Sequence, residues 1–400
     1  MIQGDHEMSD FDAIVLGAGA AGLMCAMAAG QRGKRVLLLD HAEGPGAKIL
    51  ISGGGRCNFT NTGTEPSRFF SNNPQFARSA LSRYTAGDFI ALVEKHRIAY
   101  HEKTLGQLFC DGSARAIVDM LLAECGAAGV DLRLRHRITD VSRADGFRVE
   151  TDRGAFTAPA LVLATGGLSI PKMGATGLSL DLARRFGLPV VEPRPGLVPM
   201  TFGEEALGLM RPISGVSLPV EARAGGSAFR EAMLFTHRGL SGPAILQVST
   251  PWRPGQAVTV DLLPEVDAGA WLRARRDERP RAALHTVLAE KLPQRLASAL
   301  GTTRLAEHTR PVGELGNKAL NGVAAMLKGM ALTPVGTEGY AKAEVMAGGV
   351  DTAALSSRTL AAKDVPGLHV VGEAVDVTGW LGGYNFQWAW ASGWCAGLSV

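Results

Sequence analysis

The sequence predicts an α/β fold built on a parallel sheet, and three observations support this prediction. An apolar segment at residues 11–16 leads through a glycine-rich turn and an alanine-rich stretch into a second apolar segment at residues 35–40. Another apolar run, at residues 160–164, also ends in glycines, and residues 367–372 repeat this pattern near the end of the chain. Because two parallel strands need a crossover between them, the first segment predicts a right-handed βαβ unit.

Length and charge limit the classes of protein to consider. Four hundred residues fit two domains, or one domain with a large insertion, and the 50 glycines indicate many tight turns or close approaches to a ligand. Lysine and arginine total 41 against 38 acidic residues, a net charge of +3. On this basis we expect no nucleic-acid partner.

The chain shows no sign of export, membrane insertion or metal binding. Its first residues lack the basic and apolar regions of a secretory signal, and no apolar run reaches the length of a membrane span. We therefore expect a cytoplasmic protein without a membrane partner. The cysteines form no closely spaced pair, which argues against a disulfide framework, a metal site and a redox-active dithiol. They are Cys25, Cys57, Cys110, Cys125 and Cys395.

The pattern along the chain predicts an interrupted domain. Residues 66–129 have largely helical spacing, and short β-like pieces between residues 131 and 157 suggest a small antiparallel meander. Four prolines between residues 189 and 199 mark a boundary. We therefore predict that residues 1–190 and 341–400 form one cofactor-binding domain, and that residues 191–340 are an inserted substrate or cap domain.

The first glycine turn has the residues that a dinucleotide requires. Gly17, Gly19 and Gly22 match G-x-G-x-x-G at a strand-to-helix junction, where backbone N–H groups and the helix dipole favour a pyrophosphate. Asp40, followed by His41, ends the second strand, where an acid accepts hydrogen bonds from a ribose. An acid there fits FAD or NAD better than NADP. The alternative is a tight turn in an ordinary α/β protein. The intervening Ala18, Ala20 and Ala21 complete the predicted cradle.

The end of the chain favours FAD over NAD. An apolar strand ends in Gly372-Glu373, and two glycines at 382–383 open a helix. In flavoproteins of this type such a strand end contacts the ribityl chain, and the helix N-terminus stabilises negative charge on the reduced flavin. Taken alone, the two glycines are equally consistent with a simple helix-entry turn. The predicted cofactor-binding residues here are Gly372, Glu373, Asp376, Gly383, Tyr384, Asn385, Phe386 and Gln387.

A third glycine-rich string, at residues 48–61, is too polar for a core element and suits a loop around a phosphate or flavin. Arg56 can neutralise pyrophosphate charge, and Lys48 is predicted near the adenosine part. The alternative is a flexible surface loop. Cys57 has no histidine or second cysteine beside it, so we predict a packed, unreactive thiol. This part of the predicted site comprises Lys48, Gly54, Gly55, Arg56, Cys57 and Asn58, with Ala164, Thr165 and Gly166 from the later apolar run.

Five strings together resemble the BaiN-like family of bacterial flavoproteins. They occupy residues 17–22, 52–61, 164–167, 235–246 and 372–387. The resemblance implies a Rossmann-type, two-dinucleotide-binding FAD domain interrupted by an inserted β-barrel with helices, and the family includes a member that reduces bile-acid intermediates. In one place the chain departs from the family, because Leu178-Ser179 replaces the usual Asp-Gly. We expect this change to loosen or reshape a loop near the flavin.

These observations predict an FAD-dependent oxidoreductase. His237, between glycines in the insert, is the candidate for proton handling; a purely structural role in the loop is equally consistent with its position. The substrate is expected to be a small organic molecule, such as one with a C=C or enone. NAD(P)H is the expected transient donor, because no second complete G-x-G-x-x-G is present for a stable NAD domain. The alternative is a non-catalytic or redox-sensing flavin-binding accessory protein, for example in RNA modification.

Overall fold

The computed structural model describes residues 10–308 and 310–400. The N-terminal residues from which we inferred the absence of a secretory signal lie outside this range. The chain divides into two compact units, one formed by the described residues through Arg194 together with Val345–Val400, and the other by Pro195–Glu344. No described helix is long and apolar enough to cross a lipid bilayer.

The α-helices are numbered in chain order. They are α1 Ala20–Gly30, α2 Ala47–Ile51, α3 Ala77–Arg83, α4 Ala86–Lys95, α5 Arg115–Ala127, α6 Leu178–Arg185, α7 Glu204–Met210, α8 Pro243–Ser249, α9 Ala268–Glu278, α10 Leu284–Leu288, α11 Gln294–Thr302, α12 Asn317–Lys328 and α13 Tyr384–Gly397.

The β-strands are numbered in the same way. They are β1 Ala13–Leu16, β2 Val36–Leu39, β3 Asn58–Asn61, β4 Phe69–Phe70, β5 Tyr100–Glu102, β6 Gln107–Cys110, β7 Asp131–Arg133, β8 Ile138–Arg143, β9 Phe147–Thr151, β10 Gly154–Ala158, β11 Ala160–Leu163, β12 Val190–Gly196, β13 Met200–Thr201, β14 Ser217–Ala224, β15 Ser227–Thr236, β16 Gly239–Ser241, β17 Val258–Asp261, β18 Met330–Leu332, β19 Gly336–Thr337, β20 Val345–Val350, β21 Leu368–Val370 and β22 Thr378–Gly379.

The core of the first unit is a five-stranded parallel sheet in the order β21-β11-β1-β2-β7. Ala13 of β1 lies opposite Val36 on one side and Ala160 on the other. Every residue of β1, β2, β11 and β21 is buried, as expected of apolar strands in a parallel sheet covered on both faces. The predicted α/β fold with a parallel sheet is therefore confirmed, and the carboxyl ends of these strands meet at one edge.

Helices from the two ends of the chain pack closely together in this unit. A Cβ added at Gly393 would lie 2.3 Å from the carbonyl oxygen of Ala21, and one at Gly397 would lie 2.5 Å from that of Cys25. Glycine is needed at both positions because the α13 backbone contacts α1 directly. Since 393 and 397 lie against 21 and 25 in the same order, α1 and α13 run parallel, and the first turn of α13 begins about 12 Å beyond that of α1.

Two details of the sequence interpretation were wrong in the region between β2 and β11. Asp131–Arg133 does not belong to the meander, because β7 pairs in parallel with β2, and only β8, β9 and β10 form the antiparallel meander. The region interpreted as largely helical also contains strands β5 and β6, which form a sheet with β3. Strands of three or four residues are too short to show a period, and their pairing partners are distant in sequence.

The second unit contains a seven-stranded antiparallel sheet in the order β18-β17-β14-β15-β16-β13-β19, with helices α7 to α12. The longest hairpin, β14 with β15, pairs Ser217 with Leu234 and ends at Ala224 with Ser227. The family resemblance implied a barrel here. The described pairings give a sheet with β18 and β19 at its two edges.

Candidate functional site

The glycine turn after β1 has a backbone that tolerates no side chain at two of its three glycines. Gly17 has φ +108°, and a Cβ there would lie 2.6 Å from the carbonyl oxygen of Ala164. A Cβ at Gly22 would lie 1.8 Å from the carbonyl oxygen of Gly17. At Gly19, by contrast, no atom of the described residues other than its chain neighbours lies within 4 Å of the Cβ position. The space beside Gly19 is therefore open, at the start of a helix whose first turn has no side-chain cap.

Asp40 connects the end of β2 to this turn. Its Oδ2 accepts a hydrogen bond from Ala18 N at 2.7 Å, and its Oδ1 accepts one from Ala42 N at 2.8 Å. The ring of the neighbouring His41 lies 3.5 Å from Oδ1 and borders Gly174. The carboxylate is thus held at the glycine turn, with lone pairs left for further donors such as ribose hydroxyls.

The turn after β11 lies directly against the first glycine turn. The Cα of Thr165 is 2.9 Å from the Cβ position of Gly17. The hydroxyl groups of Thr165 and Ser179 are 2.6 Å apart, and each also accepts a backbone N–H of the other residue. Ser179 is one of the two residues expected to loosen or reshape this loop. In the structure its hydroxyl ties the start of α6 to the turn.

Lys48 and Glu373 form an ion pair across this edge of the sheet. Lys48 Nζ lies 2.5 Å from Glu373 Oε2 and donates to Ser169 Oγ at 2.6 Å. Glu373 Oε1 accepts from Ser169 Oγ and from Met346 N. Burial raises the pKa of Glu373, but the charge and hydrogen bond of Lys48, with the other two donors, outweigh burial and hold the pKa below its ordinary value. Lys48 therefore pairs with the strand-end acid, and its predicted place near the adenosine part stays a prediction.

The loop that follows α2 has an unusual backbone. Gly53, Gly54 and Gly55 all have positive φ, and so does Cys57, at +51°. The Cys57 side chain is fully buried, and burial raises the pKa of its thiol to about 12. Arg56 is exposed, and in the described part of the chain its guanidinium has no carboxylate partner. The loop thus offers one unpaired cation and an unreactive thiol.

Strand β3 holds the start of α13 through buried polar contacts. Thr60 Oγ1 donates to Gln387 Oε1 at 2.7 Å, Gln387 Nε2 donates to Tyr84 O, and Asn61 Nδ2 donates to Gly382 O at 2.8 Å. A Cβ at Gly383 would lie 2.5 Å from Thr60 and 2.9 Å from Asn58 Oδ1. These contacts explain why glycines precede the helix.

The side-chain amides of Asn385 and Gln387 form hydrogen bonds within the protein rather than pointing free toward a cofactor. Asn385 Nδ2 donates to Gly379 O and Trp380 O, and its Oδ1 accepts from Gly379 N. The backbone N–H of Gln387 donates to Gly383 O within the helix. We therefore reassign the Asn385 side chain from a flavin donor to a residue that holds the loop. Gln387 was predicted to donate through its backbone N–H, and this group is used within the helix. The uncapped first turn of α13 still supplies backbone N–H groups and the positive end of the dipole.

Three further predicted residues hold neighbouring parts of the first unit, and one lies in the second unit. Asp376 is buried and accepts a hydrogen bond from Asn72 N at 2.9 Å, so it anchors that loop. Tyr384 packs edge-on against Phe69, and Phe386 stacks on Trp390. His237 belongs to the second unit, where it lies exposed in the hairpin turn between β15 and β16.

The arrangement in the first unit fits FAD. Two parallel helices present uncapped N-termini about 12 Å apart along their common direction, the space beside Gly19 is open, and an acid ends β2. An extended dinucleotide with its pyrophosphate at α1 therefore directs its other end toward α13. The profile of the HI0933-like protein Rossmann domain matches residues 11–399. The chain belongs to this family.

Curated HI0933-like relatives cover nearly the whole chain. The ribosomal RNA dihydrouridine synthase of Escherichia coli (strain K12) is 50% identical over 97% of this chain and 98% of its own length. The protein of the same name from Haemophilus influenzae is 43% identical over 97% and 98%. The 3-dehydro-bile acid delta(4,6)-reductase of Clostridium scindens is 30% identical over 96% and 98%. The BaiN-like resemblance is thus one part of a wider family likeness.

A solved structure supports the fold. The 3-ketosteroid-delta4-(5alpha)-dehydrogenase from Rhodococcus jostii RHA1 aligns over 99% of this chain and 98% of that chain, with a TM-score of 0.50 and 14% identity. At this identity the likeness shows the fold alone. The family and its enzyme relatives support assignment of the chain to the FAD-dependent oxidoreductases.

The prediction that no nucleic-acid partner is expected was wrong. Two relatives that match nearly the whole chain are named for an activity on ribosomal RNA. The prediction rested on the net charge of +3. Net charge averages over the whole surface, whereas phosphate groups respond to the charges within about 10 Å of them.

Proposed function

We propose that this chain is an FAD-dependent reductase that converts uridine to dihydrouridine in ribosomal RNA, with NAD(P)H as the electron donor. The observation that carries the proposal is the 50% and 43% identity to two proteins of that name over nearly the full chain. The cradle formed by Gly17, Gly19 and Gly22 supports the cofactor, because its open face fits a pyrophosphate.

The chemistry is the reduction of a conjugated double bond. The C5=C6 bond of uracil is conjugated to the C4 carbonyl, so a hydride adds at C6 and a proton adds at C5. NAD(P)H supplies the hydride equivalent and leaves as NAD(P)⁺, and solvent supplies the proton. When bound, FAD supplies the two-electron chemistry that connects the donor to the substrate. The protein has to bind both partners, exclude side reactions and deliver the proton.

The residues of the first unit provide the binding functions. The α1 N-terminus receives the pyrophosphate, with Asp40 placed to accept from the ribose. The ion pair of Lys48 with Glu373 fixes the strand end that packs against α13 through Gly372. Exposed Arg56, which has no carboxylate partner in the described residues, adds a cation for a phosphate.

His237 is our candidate for proton delivery to C5, as its residue type and exposed position on a hairpin turn allow exchange with solvent. The buried thiol of Cys57 is not available for this step. A second candidate function is reduction of a small enone, favoured by the 30% identity to the bile-acid reductase. The two candidates share the chemistry and differ in the substrate.

The test is conversion of uridine by the purified holoprotein. Unmodified ribosomal RNA is incubated with the protein and NADPH or NADH under anaerobic conditions, then digested to nucleosides and analysed by mass spectrometry for dihydrouridine. We expect dihydrouridine at a specific position with wild type and none with Gly19→Val, which lacks the cofactor. Oxidation of NAD(P)H by a steroid enone but not by RNA would instead support the second candidate, and turnover with neither substrate would contradict both.

A further inference from the structure

Charge is distributed unevenly along the chain, and one segment of the second unit is strongly basic. Residues 268–318 contain ten lysines and arginines against five acidic residues, a formal charge of +5, whereas the whole chain carries only +3. The rest of the chain is therefore slightly acidic, at −2. This segment comprises α9, α10, α11 and the start of α12. The net charge of the whole chain therefore does not reveal this local excess of positive charge.

Some of these cations are neutralised by neighbours. Glu290 accepts from Arg275 Nε and from Arg279 Nη1, both at 2.6 Å, and Glu278 pairs with Arg275 as well. These arginines serve the local structure. Arg281, Arg310 and Lys318 are different, because all three are exposed and none has a carboxylate partner within the described residues.

Backbone pairing brings two of the three unpaired cations, Arg281 and Arg310, to the same region. The link between α9 and α10 pairs with the segment before α12: Val312 N donates to Ala282 O at 2.8 Å, and Gly313 N donates to Pro280 O at 2.9 Å. Arg281 and Arg310 therefore lie on neighbouring segments. Each carries its charge on a long side chain that reaches into solvent.

The same region includes the start of α12. Arg276 Nη1 donates to Asn317 Oδ1 at 2.7 Å, and Arg273 Nη1 donates to Asn321 Oδ1 at 3.2 Å. These two bonds hold α9 against α12, and Lys318 follows Asn317 directly. Both amides are neutral acceptors. Within the described residues Arg273 has no carboxylate partner, whereas Arg276 also pairs with Asp277 at 2.9 Å.

We propose that Arg281, Arg310 and Lys318 form a basic surface that binds the phosphate backbone of the ribosomal RNA substrate. This inference rests on the proposed function, since it identifies where that substrate is held. Exposed guanidinium and ammonium groups without carboxylate partners are the groups that displace counterions from RNA phosphates. Such contacts position the RNA and carry no sequence information, so the surface contributes affinity rather than the choice of uridine.

The experiment compares two variants with the same loss of charge. The test variant is Arg281→Gln, Arg310→Gln, Lys318→Gln in the full-length holoprotein. The control is Arg78→Gln, Arg97→Gln, Arg153→Gln, which removes three exposed cations from the first unit. The dissociation constant for a ribosomal RNA fragment is measured between 50 and 200 mM salt, alongside flavin content and the far-UV spectrum. Vesicles of anionic lipid serve as a second polyanion.

We expect the slope of log affinity against log salt to fall by about 2 to 3 in the test variant, roughly one unit for each lost phosphate contact. Across this fourfold salt range, wild-type affinity then falls about 16- to 64-fold further than that of the test variant. The control should keep the wild-type slope, and both variants should keep their flavin.

Three results would overturn the inference: an unchanged slope in the test variant, an equal fall in the control, or loss of vesicle binding with RNA binding intact. The proposed function has a separate readout in dihydrouridine formation by wild type. If wild type makes dihydrouridine while the test variant binds RNA normally, only the surface is misassigned. If wild type binds RNA but makes no dihydrouridine, only the proposed activity fails.

Discussion

The open space beside Gly19 allows a substitution that separates cofactor binding from folding. Gly19 has φ −85° and ψ −169°, which is extended backbone that any residue adopts. Among the described residues, only its chain neighbours have atoms within 4 Å of its Cβ position. We therefore expect Gly19→Val to lower the free energy of unfolding of the apoprotein only slightly. The main loss is a less favourable residue at the helix N-cap, about 1 kcal/mol in the free energy of unfolding.

The same valine fills the space assigned to the pyrophosphate. We expect FAD affinity to fall at least about 100-fold, equivalent to about 2.7 kcal/mol. Gly22→Ala is the matched control. Its Cβ would lie 1.8 Å from the carbonyl oxygen of Gly17, so that variant should lose about 1 to 3 kcal/mol of unfolding free energy through overpacking.

Isothermal titration of the apoproteins with FAD and urea unfolding of the same samples measure both quantities. The expected pattern is a stable Gly19→Val protein that does not bind FAD, and a destabilised Gly22→Ala protein. If Gly19→Val binds FAD as wild type does, the pyrophosphate does not lie at the α1 N-terminus and the reasoning from open space is refuted.

Three further predictions concern single side chains. Asp40→Ala should weaken FAD binding by about 1 to 3 kcal/mol, because a ribose hydroxyl and Ala18 N both lose an acceptor, and an unchanged dissociation constant would move the ribose contact elsewhere. Asn385→Ala frees the loop at Gly379, so it should lower thermal stability and leave the flavin potential unchanged; a shifted potential at unchanged stability would restore its role as a direct flavin donor. Burial lowers the pKa of His369 to about 4 from an ordinary 6.5, so the unfolded chain takes up the proton first. This contribution to stability is complete above pH 6.5 and is lost as the pH falls toward 4, roughly 3 kcal/mol in all. In His369→Gln that part of the pH dependence of urea unfolding should disappear, and its persistence would assign it to another group.

Glycine turns and apolar runs in the sequence predicted those parts of the fold that neighbouring residues along the chain determine. The βαβ unit and α13 were predictable because their turns need glycines that stand out in the sequence, and the structure shows the close contacts at Gly17, Gly22 and Gly383 that impose them. Buried strands such as β1 and β11 were predictable from uninterrupted apolar runs.

Contacts between distant residues were not predictable in this way. Lys48 pairs with Glu373, 325 residues away, and nothing around either residue indicates the other. The polar residues at the start of α13 looked like cofactor donors, yet Asn385 and Gln387 use their amides to hold neighbouring backbone and side chains. Short strands such as β5 are fixed by pairing with β6 rather than by their own pattern. The basic segment at 268–318 was hidden because acidic residues elsewhere balance it.

The central claim is that both ends of the chain hold one FAD. The most direct measurement is the absorption spectrum of the purified full-length protein, followed by acid release of the cofactor and its identification by mass. We expect a flavin absorption band that corresponds to one FAD per chain and that bleaches when NAD(P)H is added under anaerobic conditions. A protein without flavin that also fails to take up added FAD, or one that releases FMN, would contradict it.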